Sequence, residues 1–347
     1  MAILPTVSAF REREFQNKNI FGQRQRYLAT DVLQKIKMDA GYAEKVNQVE
    51  QALAHTGGLI LDIGANTCGE SEYLTTRGYS IIATDINEVA LGLSKERCAK
   101  FGRTAPRYIA CDGHRLPLQS ESVQFAIFNE SLHHMEDARK VLKEVHRVLS
   151  PGGKVFMYEP YAYNPYRRLS EVRDRFLGTI EKSFGVRQLK RLLSEAGLAA
   201  VSIQRHTCPP SKWKSDAMGN IHRTLKHIYF LASRILPSVF GNLVAVAEKP
   251  GSPAAANESA VPASHVSFES LLRCPVTGGR LAKLENEIGY LSLDPAFRGL
   301  YRVYQGIPVL IREEAQTLDT NSWEILTGIR PSANKPEHVF AAGSSAQ

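Results

Sequence analysis

Acidic side chains end three short apolar runs of this chain, and a glycine-spaced turn follows the first run. Asp62 lies in the run at 59–63, Asp85 ends the run at 79–84, and Asp112 follows the run at 107–111. A strand, a glycine-rich turn, a helix, a strand and an acid in this order are typical of half of a nucleotide-cofactor site. Asp85 is placed to accept from both ribose hydroxyls, and Asp112 from an adenine amino group.

The turn after the first run indicates which cofactor is bound. A dinucleotide site has the pattern G-x-G-x-x-G, whereas this chain has Asp62-x-Gly64-x-Asn66-x-x-Gly69. Asn66 replaces the second glycine, and Asp62 would repel a pyrophosphate. A carboxylate favours a cation instead, and S-adenosylmethionine carries a sulfonium and an α-amino group. The turn by itself also fits a strand, turn and helix without any ligand.

The remaining elements predict a sheet that places these residues at one edge. Residues 70–77 and 138–149 have helical spacing, and residues 123–128 and 154–158 are apolar enough for buried strands. The sequence Pro151-Gly152-Gly153 is expected to stop the second helix. An amphipathic helix is predicted at 184–196, and the last two strands at 200–204 and 243–247.

These segments together resemble the class I S-adenosylmethionine-dependent methyltransferases, in particular the small-molecule group that includes the ubiquinone/menaquinone C-methylases. The resemblance is dense over residues 57–160 and looser over 161–249. It implies an α/β fold with a Rossmann-like, seven-stranded, doubly wound sheet whose last strand is antiparallel. The matching pieces are Leu61-Asp62-Ile63-Gly64, Thr84-Asp85, Cys111-Asp112-Gly113, Leu116-Pro117, Ser131-Leu132-His133-His134, Glu144-Val145-His146-Arg147-Val148-Leu149 and Pro151-Gly152-Gly153-Lys154.

The resemblance implies S-adenosyl-L-methionine as the cofactor and a set of residues that hold it. The expected cofactor-binding residues are Asp62, Gly64, Ala65, Asn66, Gly69, Asp85, Ile86, Asp112, Gly113 and Asn129. The departure from the family is Asn66-Thr67-Cys68, where many members have Gly-x-Gly. We expect the backbone that contacts the cofactor to be tighter there.

Two histidines are the candidate catalytic residues. His133 and His134 follow the fourth predicted strand at its carboxyl end, near where the methyl group should emerge. An imidazole can act as a general base near neutral pH, which matters when the acceptor must lose a proton. In the alternative interpretation, one histidine caps the next helix and the other packs against the turn.

The acceptor class follows from the loop after the fourth strand. Methyltransferases that act on RNA or protein nitrogen often have Asn-Pro-Pro-Tyr there, whereas this chain has Asn129-Glu130-Ser131-Leu132. We therefore expect a small-molecule, lipid-linked or sugar-linked acceptor, with RNA or protein as the alternative. A third alternative is an inactive cofactor-binding regulator, against which the intact acids argue. The sequence leaves open whether oxygen, nitrogen or carbon is methylated, and the oligomeric state.

Positive charge is concentrated in one part of the chain. The 347 residues have a formal net charge of +8, and residues 161–249 alone contain 15 basic and 6 acidic side chains. Such a surface favours an anionic acceptor, nucleic acid or an acidic lipid surface, or is merely a solvated face. Residues 221–240 add an apolar helix face with basic flanks, which either lies on a membrane interface or packs on the sheet, the second being favoured. Tyr161, Tyr163 and Tyr166 either form an acceptor wall, which is the favoured interpretation, or are ordinary packing of an Asn-Pro turn against the sheet.

The composition agrees with a cytoplasmic enzyme of about two domains. The five cysteines are scattered, the N-terminus lacks the pattern of a signal peptide, and no long uncharged apolar run predicts a transmembrane helix. We divide the chain into an N-terminal helical lid (1–56), a methyltransferase domain (57–249), a linker (250–265), a small domain (266–315) and a mostly disordered tail (316–347). The lid is implied by the resemblance.

The small C-terminal α+β domain has a resemblance of its own. Residues 271–281 and 301–311 resemble the zinc-ribbon-like activators that bind tRNA, ribosomal RNA and release-factor methyltransferases as a separate subunit. Thr277 stands where zinc-bearing members have a second cysteine, and no cysteine follows Cys274. A structural zinc needs four good ligands, so we expect no metal. Either the module covers apolar surface of the larger domain in cis, or it is tethered without contact.

Overall fold

The computed structural model describes residues 7–53, 57–164, 167–168, 182–207, 241–251, 267–285 and 288–329, together with residues 224, 227–228, 230–232 and 235–236. Residues 252–265 of the predicted linker lie outside the described residues, as do Tyr166 and residues 330–347 of the predicted tail. The helices and strands given below lie in these described residues.

A seven-stranded sheet forms the centre of the larger domain. Its strands are β1 (Leu59–Ile63), β2 (Ser80–Asp85), β3 (Arg107–Ala110), β4 (Val123–Asn129), β5 (Leu149–Pro160), β6 (Ala199–His206) and β7 (Asn242–Glu248). The spatial order is β3-β2-β1-β4-β5-β7-β6. Strands β1 to β5 pair in parallel, and β7 is antiparallel to both β5 and β6. The predicted fold class is confirmed.

Alternating side chains of the central strands fill two cores, one on each face of the sheet. Leu61, Ile82 and Ala126 belong to one buried cluster, whereas their neighbours Ile60 and Phe125 belong to the other. This alternation is the period of two that an extended backbone imposes. The helices that cover the faces are α4 (Gly69–Thr76), α5 (Glu88–Lys100), α6 (Ala138–Val148) and α7 (Val186–Glu195). Strand β5 begins at Leu149, five residues before the predicted start.

Three helices precede the sheet: α1 (Val7–Ala29), α2 (Val32–Met38) and α3 (Ala40–Leu53). The sequence predicts one helix over 31–54, and the structure divides it at Asp39. The Asp39 backbone is extended, and its carboxylate accepts from the backbone N–H groups of Gly41 and Tyr42, both at 3.1 Å. An aspartate in this position caps a new helix, which is why the single predicted helix is wrong.

The small module comprises residues 267–329. It contains a short helix α8 (Phe268–Leu271), strands β8 (Leu281–Lys283), β9 (Tyr290–Ser292), β10 (Gly299–Tyr301), β11 (Val303–Tyr304), β12 (Ile307–Pro308) and β13 (Gln316–Thr317), and helix α9 (Thr320–Thr327). Strands β13-β10-β9-β8 form an antiparallel sheet. The module extends past the predicted boundary at 315, because Trp323 of α9 is fully buried and donates to the Ser292 carbonyl at 2.7 Å.

The small module continues the large sheet at its β3 edge. Val309 forms a parallel bridge with Ala110, and the Leu310 N–H donates to the Ala110 carbonyl at 2.7 Å. A second bridge joins Leu118 and Leu272, and Leu272 and Leu310 belong to the main buried cluster. An exposed sheet edge carries unpaired backbone groups, and the module covers them. A tethered module without contact is therefore excluded.

The basic segment is described only in part. Residues 224, 227–228, 230–232 and 235 are helical. The side chains of Ile228, Leu231, Ile235 and Leu236 are 52–78% exposed, so these four do not pack on the sheet as the favoured interpretation expected. No helix in the described part of the chain is long and apolar enough to cross a membrane.

Candidate cofactor and acceptor site

A cavity of about 390 Å³ opens at the carboxyl ends of the parallel strands. In an open α/β sheet, this is the edge at which ligands bind. The structure brings ten of the twelve predicted site residues to its wall: Gly64, Ala65, Asn66, Gly69, Asp85, Ile86, Asp112, Gly113, Asn129 and His134. Asp62 and His133 do not line it.

The turn after β1 is held against β2. The N–H groups of Gly64 and Ala65 both donate to the Thr84 carbonyl, at 2.8 and 2.9 Å. Gly64 has φ +71°, and a Cβ at this residue would lie 2.6 Å from the Cβ of Ser131. Only glycine fits this conformation and this approach, so the glycine of the motif keeps the turn close to the loop after β4.

Two non-glycine residues of the same turn adopt the left-handed conformation. Asn66 has φ +47° and Cys68 has φ +53°. Arg97 of α5 donates to the carbonyl of Thr67 between them, at 2.5 Å, and forms a buried ion pair with Glu72 of α4. These contacts hold in place the Asn66-Thr67-Cys68 sequence that departs from the family pattern.

Asp85 is fixed by backbone donors on both sides. Its Oδ2 accepts from the Asn66 N–H and its Oδ1 accepts from the Asn87 N–H, both at 2.8 Å. A carboxylate oxygen has more than one acceptor site. The carboxylate therefore joins the β1 turn to the start of α5 and can still accept from a ligand.

Asp112 is oriented by the neighbouring His114. The two side chains meet at 2.6 Å between Oδ1 and Nδ1, and the His114 Nε2 accepts from the Asp137 N–H at 3.1 Å. This arrangement puts the ring proton on Nδ1. Burial tends to raise the pKa of Asp112, but the hydrogen bonds and charge of His114, together with the charge of Arg115, outweigh burial, and the pKa lies below its usual value. Asp112 is thus a charged acceptor on the cavity wall.

Asp62 lies behind the cavity wall rather than on it. It is 5% exposed, and its Oδ2 accepts from the Ser71 hydroxyl at 2.6 Å. Burial raises the pKa of this carboxyl to about 7, against the hydrogen bond from Ser71, which lowers it. The contact with Ser71 ties β1 to α4, so the structure assigns Asp62 to the support of the turn.

The two histidines have different surroundings. The His133 Nδ1 donates to Glu159 Oε2 at 2.7 Å, and both side chains are buried. Glu159 also accepts from the Ser131 and Leu132 N–H groups at 3.2 and 2.8 Å. The His134 ring lies against the His133 ring, with centroids 4.0 Å apart, and reaches the cavity. The His133 side chain thus binds Glu159 in the protein interior, and His134 is the histidine that a ligand in the cavity can contact.

Several lining residues are absent from the sequence-based set. Tyr27, Lys35 and Tyr42 come from α1, α2 and α3, Glu70 lies in the first turn of α4, and Glu130 follows β4. The Lys35 Nζ lies 3.7 Å from the centroid of the Tyr42 ring. Burial lowers the pKa of Lys35. No spacing rule in the sequence identifies cavity-lining residues on the helices that precede the sheet. Glu70 directly follows Gly69, so the glycine motif could have identified it.

The wall fits an S-adenosyl compound in charge and in donor set. Five of the described lining residues are acidic, whereas Lys35 is the only lysine or arginine among the described lining residues. The Asn129 Oδ1 is buried and has no hydrogen-bond partner among the described residues. Acids suit a sulfonium, an ammonium and hydroxyl donors, and one cation suits a carboxylate. The charges and hydrogen-bond acceptors of the wall therefore fit this cofactor.

Comparison with known proteins agrees with this arrangement. Residues 61–157 match the family model described as a methyltransferase domain. The demethylmenaquinone methyltransferase of Thermobifida fusca is 30% identical over 125 residues, which are 36% of this chain and 51% of that protein. The sterol 4-C-methyltransferase strm-1 of Caenorhabditis elegans is 28% identical over 132 residues, 37% of this chain and 39% of that protein.

A solved structure of geranyl diphosphate C-methyltransferase from Streptomyces coelicolor aligns with a TM-score of 0.48 and 16% identity, over 60% of this chain and 76% of that one. The chain spans about half or less of the length of the curated relatives named above.

Proposed function

We propose that this protein is an S-adenosylmethionine-dependent methyltransferase. The observation that carries the proposal is the pair Asp85 and Asp112. These carboxylates lie at the ends of neighbouring strands, are held by the contacts described above, and face one cavity beside the Gly64 turn. The match of residues 61–157 to a methyltransferase domain supports the same conclusion.

Each part of the wall has a role in this proposal. Asp85 accepts from the ribose hydroxyls, Asp112 accepts from the adenine amino group, and Lys35 pairs with the amino-acid carboxylate. S-adenosylmethionine supplies a methyl group that is already activated by the positive charge on its sulfur. The main task of the protein is therefore to align the acceptor with that methyl group and to exclude water. Tyr27 and Tyr42, from the helices before the sheet, close the cavity as a lid.

His134 is the proposed general base for an acceptor that must lose a proton. It is the candidate histidine on the cavity wall, whereas Glu159 holds His133 in the interior. His133 then serves as a positioning residue, because its ring lies against that of His134. Removing the wall histidine should lower turnover with such an acceptor without changing the affinity for the cofactor.

The proposed acceptor is a small apolar or lipid-linked molecule. By their names, the relatives act on demethylmenaquinone and on a sterol. The loop Asn129-Glu130-Ser131-Leu132 supports this class over RNA or protein. The identity of the acceptor can be found by incubating the protein with labelled S-adenosylmethionine and fractionated cell extract. Label in lipid-soluble small molecules supports the proposal, and label confined to RNA or protein overturns this acceptor class.

Calorimetry tests the cofactor assignment directly. We expect wild-type protein to bind S-adenosylhomocysteine, and Asp85→Asn and Asp112→Asn each to weaken binding by about 10- to 100-fold, the usual loss for a hydrogen bond to a charged group. Asp319→Asn is the matched control, because Asp319 is an exposed helix cap in the small module. Absence of binding by folded wild-type protein, with binding of another nucleotide, would overturn the proposal.

A membrane contact is the second part of the proposal and depends on the exposed apolar residues of the basic segment. Ile228, Leu231 and Ile235 are 58–78% exposed and recur at helical spacing. The sequence from 217 to 247 has no acidic residue and includes Arg223, Lys226 and Arg234. Strands β6 and β7 pair at His206 and Asn242, opposite Pro160 of β5, so the segment leaves and re-enters the sheet at the carboxyl end of β5, the edge at which the cavity opens. Such a helix suits an anionic lipid surface that presents the acceptor.

Vesicle flotation tests this contact. We expect the protein to float with vesicles containing phosphatidylglycerol at low salt and to remain at the bottom with neutral vesicles. Replacing Ile228, Leu231 and Ile235 together by serine should abolish flotation. Ile325→Ser, an equally exposed apolar residue of the small module, is the control. Undiminished flotation of the triple variant would refute the contact.

The small module is proposed to act as an activator in cis. It covers the β3 edge and contributes Leu272, Tyr301 and Leu310 to the main core. A protein that lacks residues 267–347 is expected to aggregate, because this apolar surface and the β3 edge would face water. A monomeric, fully active truncated protein would show that the module is dispensable.

A further inference from the structure

An ionic cluster joins helix α1, the start of helix α5 and the small module. The cluster consists of Arg13 on α1, Glu88 at the start of α5, and Arg302 and Glu314 in the small module. Arg13 pairs with both Glu88 and Glu314. Arg302 Nη2 donates to Glu88 Oε1 at 2.8 Å and to Glu314 Oε2 at 2.6 Å. Two cations and two carboxylates alternate, so each charge has two opposite neighbours.

Glu88 is linked to the proposed cofactor site through its neighbour in the chain. It follows Asn87, whose N–H donates to Asp85 and whose side chain caps α5 by accepting from Val89 and Ala90. The side chain of Glu88 is 8% exposed. Burial tends to raise the pKa of Glu88, but the hydrogen bond from Arg302 and the charge of Arg13 hold it below its usual value. A shift of Glu88 would therefore move the turn that fixes Asp85.

The face of α5 that carries Glu88 is shaped to receive the small module. One turn further along, a Cβ at Gly92 would lie 2.8 Å from Gln305 Oε1 and 3.0 Å from the Tyr304 ring. The Lys95 Nζ donates to the Gln305 carbonyl at 2.6 Å. The same module pairs with Ala110, two residues before Asp112. It thus contacts α5, which follows Asp85 in the chain, and β3, which precedes Asp112.

Helix α1 packs on α5 and also reaches the cavity. Ile20 is buried against Ala90 and Leu93, and Tyr27 lines the cavity. Fourteen residues separate Arg13 from Tyr27, about 21 Å along a helix. A restraint on Arg13 at one end therefore limits how far the Tyr27 end can move away from the cavity.

We propose that Glu88 is a positioning residue through which the small module, by way of Arg302, sets the affinity of the cofactor site and holds helix α1 over it. The proposal rests on the methyltransferase function proposed above. Arg302 and Arg13 both pair with Glu88. The small module and helix α1 therefore act on the same turn, the one between Asp85 and Glu88. Neither arginine lines the cavity.

The test uses the full-length chain and two measurements. We expect Arg302→Gln and Glu88→Gln each to weaken S-adenosylhomocysteine binding by about tenfold in calorimetry, a common size for coupling between sites. Backbone amides of α1 and of residues 85–92 should exchange faster in both variants. Arg302→Lys keeps the charge and should recover most of the affinity, which a merely structural defect would not predict.

Arg24→Gln is the matched control. The Arg24–Glu96 pair also joins α1 to α5, but both side chains are about 45% exposed and the pair is not part of the ionic cluster. Loss of the Arg24–Glu96 pair should leave the affinity for S-adenosylhomocysteine within about twofold, as for most surface ion pairs.

Equal losses of affinity in Arg24→Gln and Arg302→Gln would overturn the proposal. Unchanged affinity and amide exchange in folded Arg302→Gln and Glu88→Gln would also overturn it. If wild-type protein bound no S-adenosyl compound, the function would fail instead, and amide exchange would still decide the coupling.

Discussion

The buried carboxyl of Asp62 makes the stability of this protein depend on pH in an unusual direction. Burial raises the pKa of this group from an ordinary 3.8 to about 7 in the folded protein. Between these two values, the unfolded chain carries an ionised Asp62 while the folded protein keeps the proton. Unfolding therefore releases a proton, and the free energy of unfolding falls as the pH rises.

The structure gives the size of the effect. Each pH unit between the two pKa values costs about 1.4 kcal/mol, so from pH 5 to pH 7.5 the contribution of Asp62 falls by about 2–3 kcal/mol. The loss levels off above the folded pKa, because both states are then ionised. Asp62→Asn removes the titration, and an asparagine can keep the hydrogen bond from the Ser71 hydroxyl.

The assay is urea unfolding of wild-type and Asp62→Asn protein at several pH values, followed by far-ultraviolet circular dichroism. The advantage of the variant should grow by about 2–3 kcal/mol between pH 5 and pH 7.5. Ser71→Ala serves as a second probe, because loss of its hydrogen bond removes an influence that lowers the pKa of Asp62. The decline should then extend to higher pH. A difference between Asp62→Asn and wild type that did not change with pH would refute the reasoning.

Four further substitutions test buried contacts of the two domains. Arg97→Gln leaves Glu72 buried without its cation and should cost about 3–5 kcal/mol in urea unfolding; a loss below about 1 kcal/mol would contradict the role of the pair. His133→Ala should cost about 1–3 kcal/mol, because Glu159 loses its buried donor, whereas His134→Ala should cost less, and the reverse order would contradict the assignment. Trp323→Ala should destabilise the small module by about 3–5 kcal/mol, seen as faster amide exchange in β9 and β10; unchanged exchange there would show that α9 contributes little.

The sequence predicted the sheet because its signals are local. Short apolar runs mark β1, β2 and β3, and an acid lies at the end of each strand or within two residues of it. The parallel arrangement brings those ends to one edge. The break between α2 and α3 was missed because Asp39 acts through its side-chain geometry. The boundary at 315 was missed because the burial of Trp323 depends on contacts made 31 residues away, at Ser292.

The sequence by itself determined the fold class, the edge of the sheet where a ligand binds and two acids, Asp85 and Asp112, that face it. Only the tertiary structure decided which of two adjacent candidate residues faces the cavity and which is buried in the interior. His133 and His134 differ in the direction of their rings, and Glu159, 26 residues away, sets that direction. The ionic cluster joins residues up to 301 positions apart. A pattern along the chain records spacing, whereas burial and charge pairing depend on what the folded chain brings together.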